Sequence, residues 1–337
     1  MVTEQPPGDT VIQTSQRFRD ALLRQDEAAL NRLVAEYRRV YGRLKDKIDL
    51  LMDAIAERGT MAEEELTSLM RYKNLMAGIQ RELRDYGVVV RAELSNAAEA
   101  AIGLGVSNSR QIMALAVIRD GGRVGNINVL QPDVIRQLLG FLQPESELWN
   151  RLNSVPGWTA LQVSERLIDG VTIGRGPKVI ANEIVKALGG SLTDTLRMTR
   201  TAQMYAYREA TRANYAANSD IVTGWIWHSA LDGTTCPACV SMHGSFHKMD
   251  ERLSGHYSCR CSMVPVTFLN PNPTIETGEA WLNRQTEQVQ AQILGKGKYE
   301  AWKSGKFNLS DVSHEQHDDV YGNMRTAKTL EELTNGR

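Results

Sequence analysis

Cys236-Pro-Ala-Cys239 and, after a gap, His256-Tyr-Ser-Cys259-Arg-Cys261 hold every cysteine of this 337-residue chain. Four cysteines scattered at random would almost never collapse into one such stretch. The layout, C-x2-C followed by H-x2-C-x-C, closes a loop around one tetrahedral ion, and thiolate and imidazole are the donors that zinc takes. Cys236, Cys239, His256, Cys259 and Cys261 are thus five candidates for four places. The four cysteines are the first choice, with His256 as the substitute for Cys259. Four protein ligands leave no open position for water, so the expected zinc is structural rather than hydrolytic. The alternatives are thiol redox chemistry at Cys236-Pro-Ala-Cys239 and thiols that merely pack. A redox pair of the thioredoxin type opens a helix after a strand in a βαβ unit, whereas Val240-Ser-Met-His-Gly244 reads here as a turn.

Outward from the cysteines, short aromatic and β-branched runs predict strands. They are Trp225-Ile-Trp227, Phe246-His-Lys-Met249 and Ser262-Met-Val-Pro-Val266, which form a small antiparallel module over 223–270 closed by Pro271 and Pro273. The rest reads as helix. Residues 1–14 are polar, with Pro6-Pro7-Gly8, and read as a flexible arm. Leu30, Leu33, Tyr37, Tyr41, Leu44, Ile48, Leu51 and Ile55 then recur in alternating steps of three and four. Gly59 stops that helix, and Thr60-Met-Ala-Glu63 reads as a capping box for the next. The second run passes through Leu66, Leu69, Met76, Leu83, Val90 and Leu94. Residues 15–102 are therefore expected to form a long antiparallel helical hairpin, a solvated spacer or oligomerisation arm.

Gly103–Asn128 looks like a break, and 103–222 like a helical middle region. Thr159-Ala-Leu-Gln162 reads as a capping box, Gly189-Gly190 as a stop and Ser191 as the cap of a longer helix. That helix carries Arg197, Arg200, Arg208 and Arg212 on roughly one face, a solvated stripe or a contact for a partner protein or a nucleic-acid backbone. Residues 271–337 read as a helical tail with a frayed polar end. The fold class is mainly α with a small β region, α+β.

Other classes are disfavoured. A formal charge of -1 gives no strong electrostatic attraction for nucleic acid. No membrane-spanning run and no secretory signal are read, so synthesis in the cytoplasm is expected, where clustered cysteines favour metal over disulfides. Gly121-Gly-Arg-Val-Gly125 lacks the dinucleotide-loop order. A phosphate loop and a serine-hydrolase elbow are absent. His243 and His247 have no carboxylate or Asn at the offset a zinc-stapled nuclease needs, and His228, His314 and His317 read as isolated.

The run Trp225-Ile-Trp-His-Ser-Ala-Leu-Asp232, Cys236-Pro-Ala-Cys239, His243-Gly-Ser-Phe246 and His256-Tyr-Ser-Cys-Arg-Cys261-Ser-Met-Val-Pro265 resembles the phage Mu F-like minor head proteins, the phage head morphogenesis family. Residues 165–215 look like that family's helical segment, with Arg200-Thr-Ala where Arg-Thr-Glu is usual. Ala280-Trp-Leu-Asn-Arg-Gln285 through Leu309 look like its tail. Tyr257 replaces the usual proline after the histidine, and Gly233-Thr234 an acidic-basic pair, so a salt bridge there is lost. The resemblance implies a virion structural protein made in the host cytoplasm and acting in head assembly near the portal. Its implied partners are portal, scaffold or major capsid proteins, with incidental contact to packaged DNA. No membrane, no small-molecule substrate, no enzymatic activity and no catalytic residues are expected. A zinc-stapled nucleic-acid-binding protein is the alternative. A transferase or toxin enzyme would need a further domain beyond the zinc loop, where only the tail follows.

Overall fold

The computed structural model describes residues 7–143, 145–273 and 275–334. The elements in order are α1 (Pro7–Arg58), α2 (Glu63–Ser68), α3 (Met70–Arg119), α4 (Pro132–Leu138), a 3-10 turn, α5 (Glu147–Thr172), α6 (Pro177–Ala216), β1 (Val222–His228), α7 (Pro237–Met242), β2 (Phe246–His247), β3 (Ser262–Thr267), α8 (Gly278–Asn283), α9 (Glu287–Leu294), α10 (Lys296–Lys303), a second 3-10 turn, β4 (Ser313–Asp318), β5 (Gly322–Ala327) and α11 (Leu330–Thr334). The protein is mostly helical, with two small antiparallel sheets among the described residues. The chain divides into two compact units, one of 1–25, 98–141 and 201–337, the other of 26–97 and 142–200.

In the second unit, α1 and α3 pack as the apolar periodicity requires. Leu33, Tyr37, Leu44, Ile48, Leu51 and Ile55 are buried, as are Leu75, Ile79, Leu83, Tyr86, Val90 and Leu94 on α3. Tyr37 and Tyr86 meet edge-on at 5.1 Å, and Arg32 forms a two-pronged pair with Glu93, both bonds 2.9 Å. This hairpin is not a bare spacer. Tyr72 bonds Ser164 of α5 at 2.7 Å, and Tyr37 Oη donates to the Leu188 carbonyl of α6 at 2.6 Å. Both expected capping boxes fail. Ala62 sits at the start of α2 with no side-chain cap, and Thr159 lies inside α5, its hydroxyl turned back to the Val155 carbonyl. Gly189-Gly190 does not stop α6, and Ser191 is an interior residue that bonds the Leu188 carbonyl and Tyr37. Helix packing overrides local propensity at these points.

Two further element boundaries differ from the sequence reading. α1 begins at Pro7, so 7–14 are helical, while 1–6 lie outside the described residues. α3 runs through the Gly- and Ser-rich stretch from Gly103 to Arg119, because small residues there let α6 approach. A Cβ on Gly105 would come within 2.7 Å of both Ala210 Cβ and the Tyr207 carbonyl. Ser109 and Asn214 pair across the same contact at 2.8 Å. The membrane reading also needs correcting: α3 contains an 18-residue window long and apolar enough to cross a membrane, with 56% of that window buried in the protein.

The first unit is built on the sheet β2-β1-β3. Side chains alternate along β1, so Trp225 and Trp227 join Tyr215, Met113 and three of the cysteines. Ile226 faces the other way, with Val264, Val266, Val11 and Ile112. The tail helices pack round Val240 of α7. The polar end, read as frayed, contains the β4–β5 hairpin in full register from Ser313↔Ala327 to Asp318↔Gly322.

Gly105→Ala is expected to cost about 1–3 kcal/mol by overpacking. Gly103→Ala, on the same helix with open space at its Cβ, is expected to stabilise by about 0.5–1 kcal/mol. Urea unfolding of the two variants measures both signs.

Candidate metal centre

Two elements bring the five candidate donors together. α7 opens at Cys236, whose Sγ accepts the Cys239 N–H at 3.4 Å, with Pro237 in the first helical position. The C-x2-C pair therefore does open a short helix, where a turn was expected. The flanking strands are antiparallel, so the βαβ setting of a thioredoxin-type redox pair is not met. The loop before β3 supplies His256, Cys259 and Cys261.

His256 Nε2 lies 3.0 Å from Cys236 Sγ and 3.2 Å from Cys239 Sγ, and Cys239 Sγ lies 3.6 Å from Cys259 Sγ. Cys236, Cys239 and His256 form one set with donor atoms within 4.8 Å, and Cys239, Cys259 and Cys261 form another. All five line a cavity of ≈ 40 Å³. Bonds of about 2.0–2.3 Å to one tetrahedral ion need donor separations of this order. His256 Nδ1 lies 2.7 Å from the Tyr257 carbonyl and donates to it, which aims Nε2 at the sulfurs, the usual support of a metal-binding imidazole. The donor set fits a metal such as zinc.

Electrostatics prepare the site in the same sense. Hydrogen bonds from Cys239 and His256 pull the Cys236 thiol down to about 5, and those from Cys239 and Cys261 hold Cys259 well below its ordinary value. Cys239 is pushed up by its bond to Cys236, and Cys261 by burial. Burial pushes His256 down, but the Cys236 and Cys259 thiolates outweigh it and raise it to about 9. Metal binding here would release protons.

The supports were only partly legible in sequence. Arg208, read as one of a solvated stripe, is buried. Its Nε donates to the Cys261 carbonyl at 2.9 Å and its Nη2 to the Cys259 carbonyl at 2.7 Å. A Cβ on Gly255 would lie 2.7 Å from Arg208 Nη1 and 2.8 Å from Cys259 Sγ, so only glycine leaves room. Arg200 pairs with buried Asp26, and Arg212 with Glu209 at 3.0 Å. Only Arg197 of the four remains a largely exposed surface cation. Ser229 Oγ donates to the Cys239 carbonyl at 2.6 Å and lies 3.3 Å from Cys261 Sγ. The salt bridge expected to be lost near Gly233-Thr234 is present in another form: Arg260 grips Asp232 with two 2.7 Å bonds, holding that carboxyl well below its usual range.

Outside the nuclease offsets, His247 has a carboxylate, Glu251, at 2.8 Å from Nδ1, and Ser245 Oγ at 2.8 Å from Nε2. That connectivity is the order of a Ser-His-acid triad. The Ser245 hydroxyl, however, is committed to the Met242 carbonyl at 2.6 Å. The Gly244 and Ser245 N–H groups bond Trp227 and Met242 carbonyls, leaving neither for an oxyanion. His247 instead stacks on Trp225 at 4.3 Å. His243 is buried, its Nδ1 accepting the Ser229 N–H at 3.0 Å.

Residues 161–264 match the family described as Phage Mu protein F like protein. That segment is a phage Mu F-like domain. The Mu F-like segment starts within α5, ends within β3 and contains all five candidate donors. It stops short of the tail, so the tail likeness read from sequence lies outside the match. Comparison with curated proteins and with solved structures gives no match.

His228 provides a pH test. It is buried, its Nδ1 has no partner, and burial, aided by His243, pushes its pKa down to about 3. The unfolded chain protonates this group near 6.5, so between about 6.5 and 3 the unfolded state binds the extra proton. Stability is therefore lost as pH falls through that window. Urea titrations at stepped pH are expected to show wild type losing more stability than His228→Gln on acidification, by a few kcal/mol in order of magnitude. The cysteine cluster is common to both chains.

Proposed function

We propose that this Mu F-like chain is a structural minor head protein of a tailed bacteriophage, acting in head morphogenesis near the portal. It is made in the host cytoplasm and ends in the virion head. The observation that carries this reading is the coincidence of the family match with the donor cluster: the Mu F-like segment is the part of the chain that holds all five soft ligands. The family is one of head morphogenesis proteins, and portal, scaffold or major capsid subunits are the proposed partners.

Zinc is the proposed metal, held by Cys236, Cys239, His256 and Cys259. This exchanges one member of the set favoured from sequence, placing His256 in it and leaving Cys261 as the spare. The donor positions support the exchange, because His256 Nε2 sits between two sulfurs while Cys261 Sγ is contacted by Ser229. The ion's part is architectural: it ties α7 to the loop before β3, a module whose sheet has only three strands. The nucleic-acid alternative loses its main support, since Arg208 and Arg200 are engaged inside the protein. The enzyme alternative gains no constellation from Ser245, His247 and Glu251.

Elemental mass spectrometry of the purified chain is expected to find about one zinc per molecule. Cys236→Ser, Cys239→Ser, His256→Ala and Cys259→Ser should each lose most of it together with thermal stability, whereas Cys261→Ser should keep it. Zinc retained in Cys259→Ser and lost in Cys261→Ser would restore the four-cysteine set. Proteomic analysis of purified virions should find the chain in heads, and its absence from heads and assembly intermediates would overturn the morphogenesis reading.

A further inference from the structure

We infer that the tail hairpin β4–β5 is part of the metal centre, with Tyr257 and Asp318 acting as positioning residues for His256. The inference rests on the zinc reading above. His256 sits between two residues that the hairpin holds. On one side Gly255 forms a parallel bridge with Arg325, and the Arg325 N–H donates to the Ser254 carbonyl at 2.6 Å. On the other, Tyr257 Oη donates to Asp318 Oδ2 at 2.7 Å, and its ring meets Tyr321 edge-on at 6.0 Å.

These anchors act on the imidazole through one short path. The Tyr257 carbonyl accepts the His256 Nδ1–H at 2.7 Å, so the hydroxyl that fixes Tyr257 also fixes the acceptor that orients the ring. Asp318 is itself held by the hairpin turn, its Oδ1 accepting the Val320 and Tyr321 N–H groups at 2.9 and 3.1 Å. Next to Tyr257, Ser258 has φ of 58°, a left-handed conformation that a side-chain-bearing residue keeps only when its surroundings hold it there. Its N–H donates to Thr201 Oγ1 at 2.9 Å.

The sequence resemblance puts a proline where this chain has Tyr257. A proline stiffens the loop locally by fixing φ. Tyrosine cannot do that, and here it reaches a carboxylate 61 positions along the chain. A tertiary hydrogen bond thus does the work of the missing ring. The location also matters for exchange. Cys236 and His256 are the half-buried donors, whereas Cys239, Cys259 and Cys261 are buried. A competing chelator therefore meets Cys236 and His256 first, and the hairpin governs one of those two.

The experiment uses the full-length, zinc-loaded chain and follows transfer of zinc to a metallochromic chelator. Tyr257→Phe removes only the hydroxyl and leaves the turn contacts of Asp318 intact. It is expected to release zinc about tenfold faster, in line with the loss of an outer-shell partner. Asp318→Ala should accelerate release similarly, and the double variant no further, because both act on one path. Asp318→Asn can keep its oxygen on the turn N–H groups and donate its amide N–H to Tyr257 Oη, so the contact persists with reversed direction and release should stay within about twofold of wild type. Should Asp318→Ala fail to fold, Tyr257→Phe alone decides. Transfer from Tyr257→Phe at the wild-type rate, with wild type carrying one zinc, overturns this inference and leaves the zinc reading standing. A wild-type chain without zinc removes the reading beneath it.

Discussion

A buried guanidinium is the interaction on which the cysteine-bearing unit depends. Arg208 projects from α6 to the C-x-C loop and satisfies the carbonyls of both Cys259 and Cys261. Those carbonyls belong to buried residues, so loss of the two Arg208 bonds would cost about 1–3 kcal/mol apiece. The same side chain lies against Gly255 and Cys259, which ties the loop backbone to a helix rather than to the sheet alone. Its charge also helps to lower the Cys259 thiol below its ordinary range, after the hydrogen bonds from Cys239 and Cys261. Backbone support, loop placement and thiolate character therefore converge on one residue.

The division of labour around that residue is economical. Trp225 and Trp227 provide bulk beneath the cysteines. Ser229 and Arg260 fix the strand exit and the loop on either side of Cys236. The donors themselves have little freedom left to lose, which favours metal binding over rearrangement.

What could be read from the sequence follows from what is local. The heptad-like runs on α1 and α3, the three strands of the larger sheet and the donor cluster are all set by short-range periodicity or spacing, and all appear. Features decided by a distant partner were misread. Gly103–Asn128 looked like a break because its small residues are poor helix formers, yet α3 continues to Arg119, and at Gly105 the smallness is what α6 requires. Arg200, Arg208 and Arg212 looked solvated because nothing nearby in sequence is acidic enough to claim them, except Glu209. The β4–β5 hairpin was missed because its strands, Ser313–Asp318 and Gly322–Ala327, are polar and half exposed, although Asp318 to Gly322 carries a turn signature. The contact of Tyr257 beside His256 was equally hidden, because its partner Asp318 lies 61 positions along the chain.

The interleaving of the two units bears on how the chain is made. The unit that holds the cysteines draws on 1–25, 98–141 and 201–337, so its parts leave the ribosome at widely separated times. Val11 reaches the core only after Val264 and Val266 exist to receive it. The other unit, from 26–97 and 142–200, is complete earlier and can collapse while synthesis continues. The loop before β3 meets Arg325, its partner at Ser254 and Gly255, only when that residue emerges, and closing contacts over such separations is entropically slow. During that interval four thiols stand exposed to oxidation and mispairing, so prompt capture of a metal ion by the nascent chain would protect the order in which the protein folds.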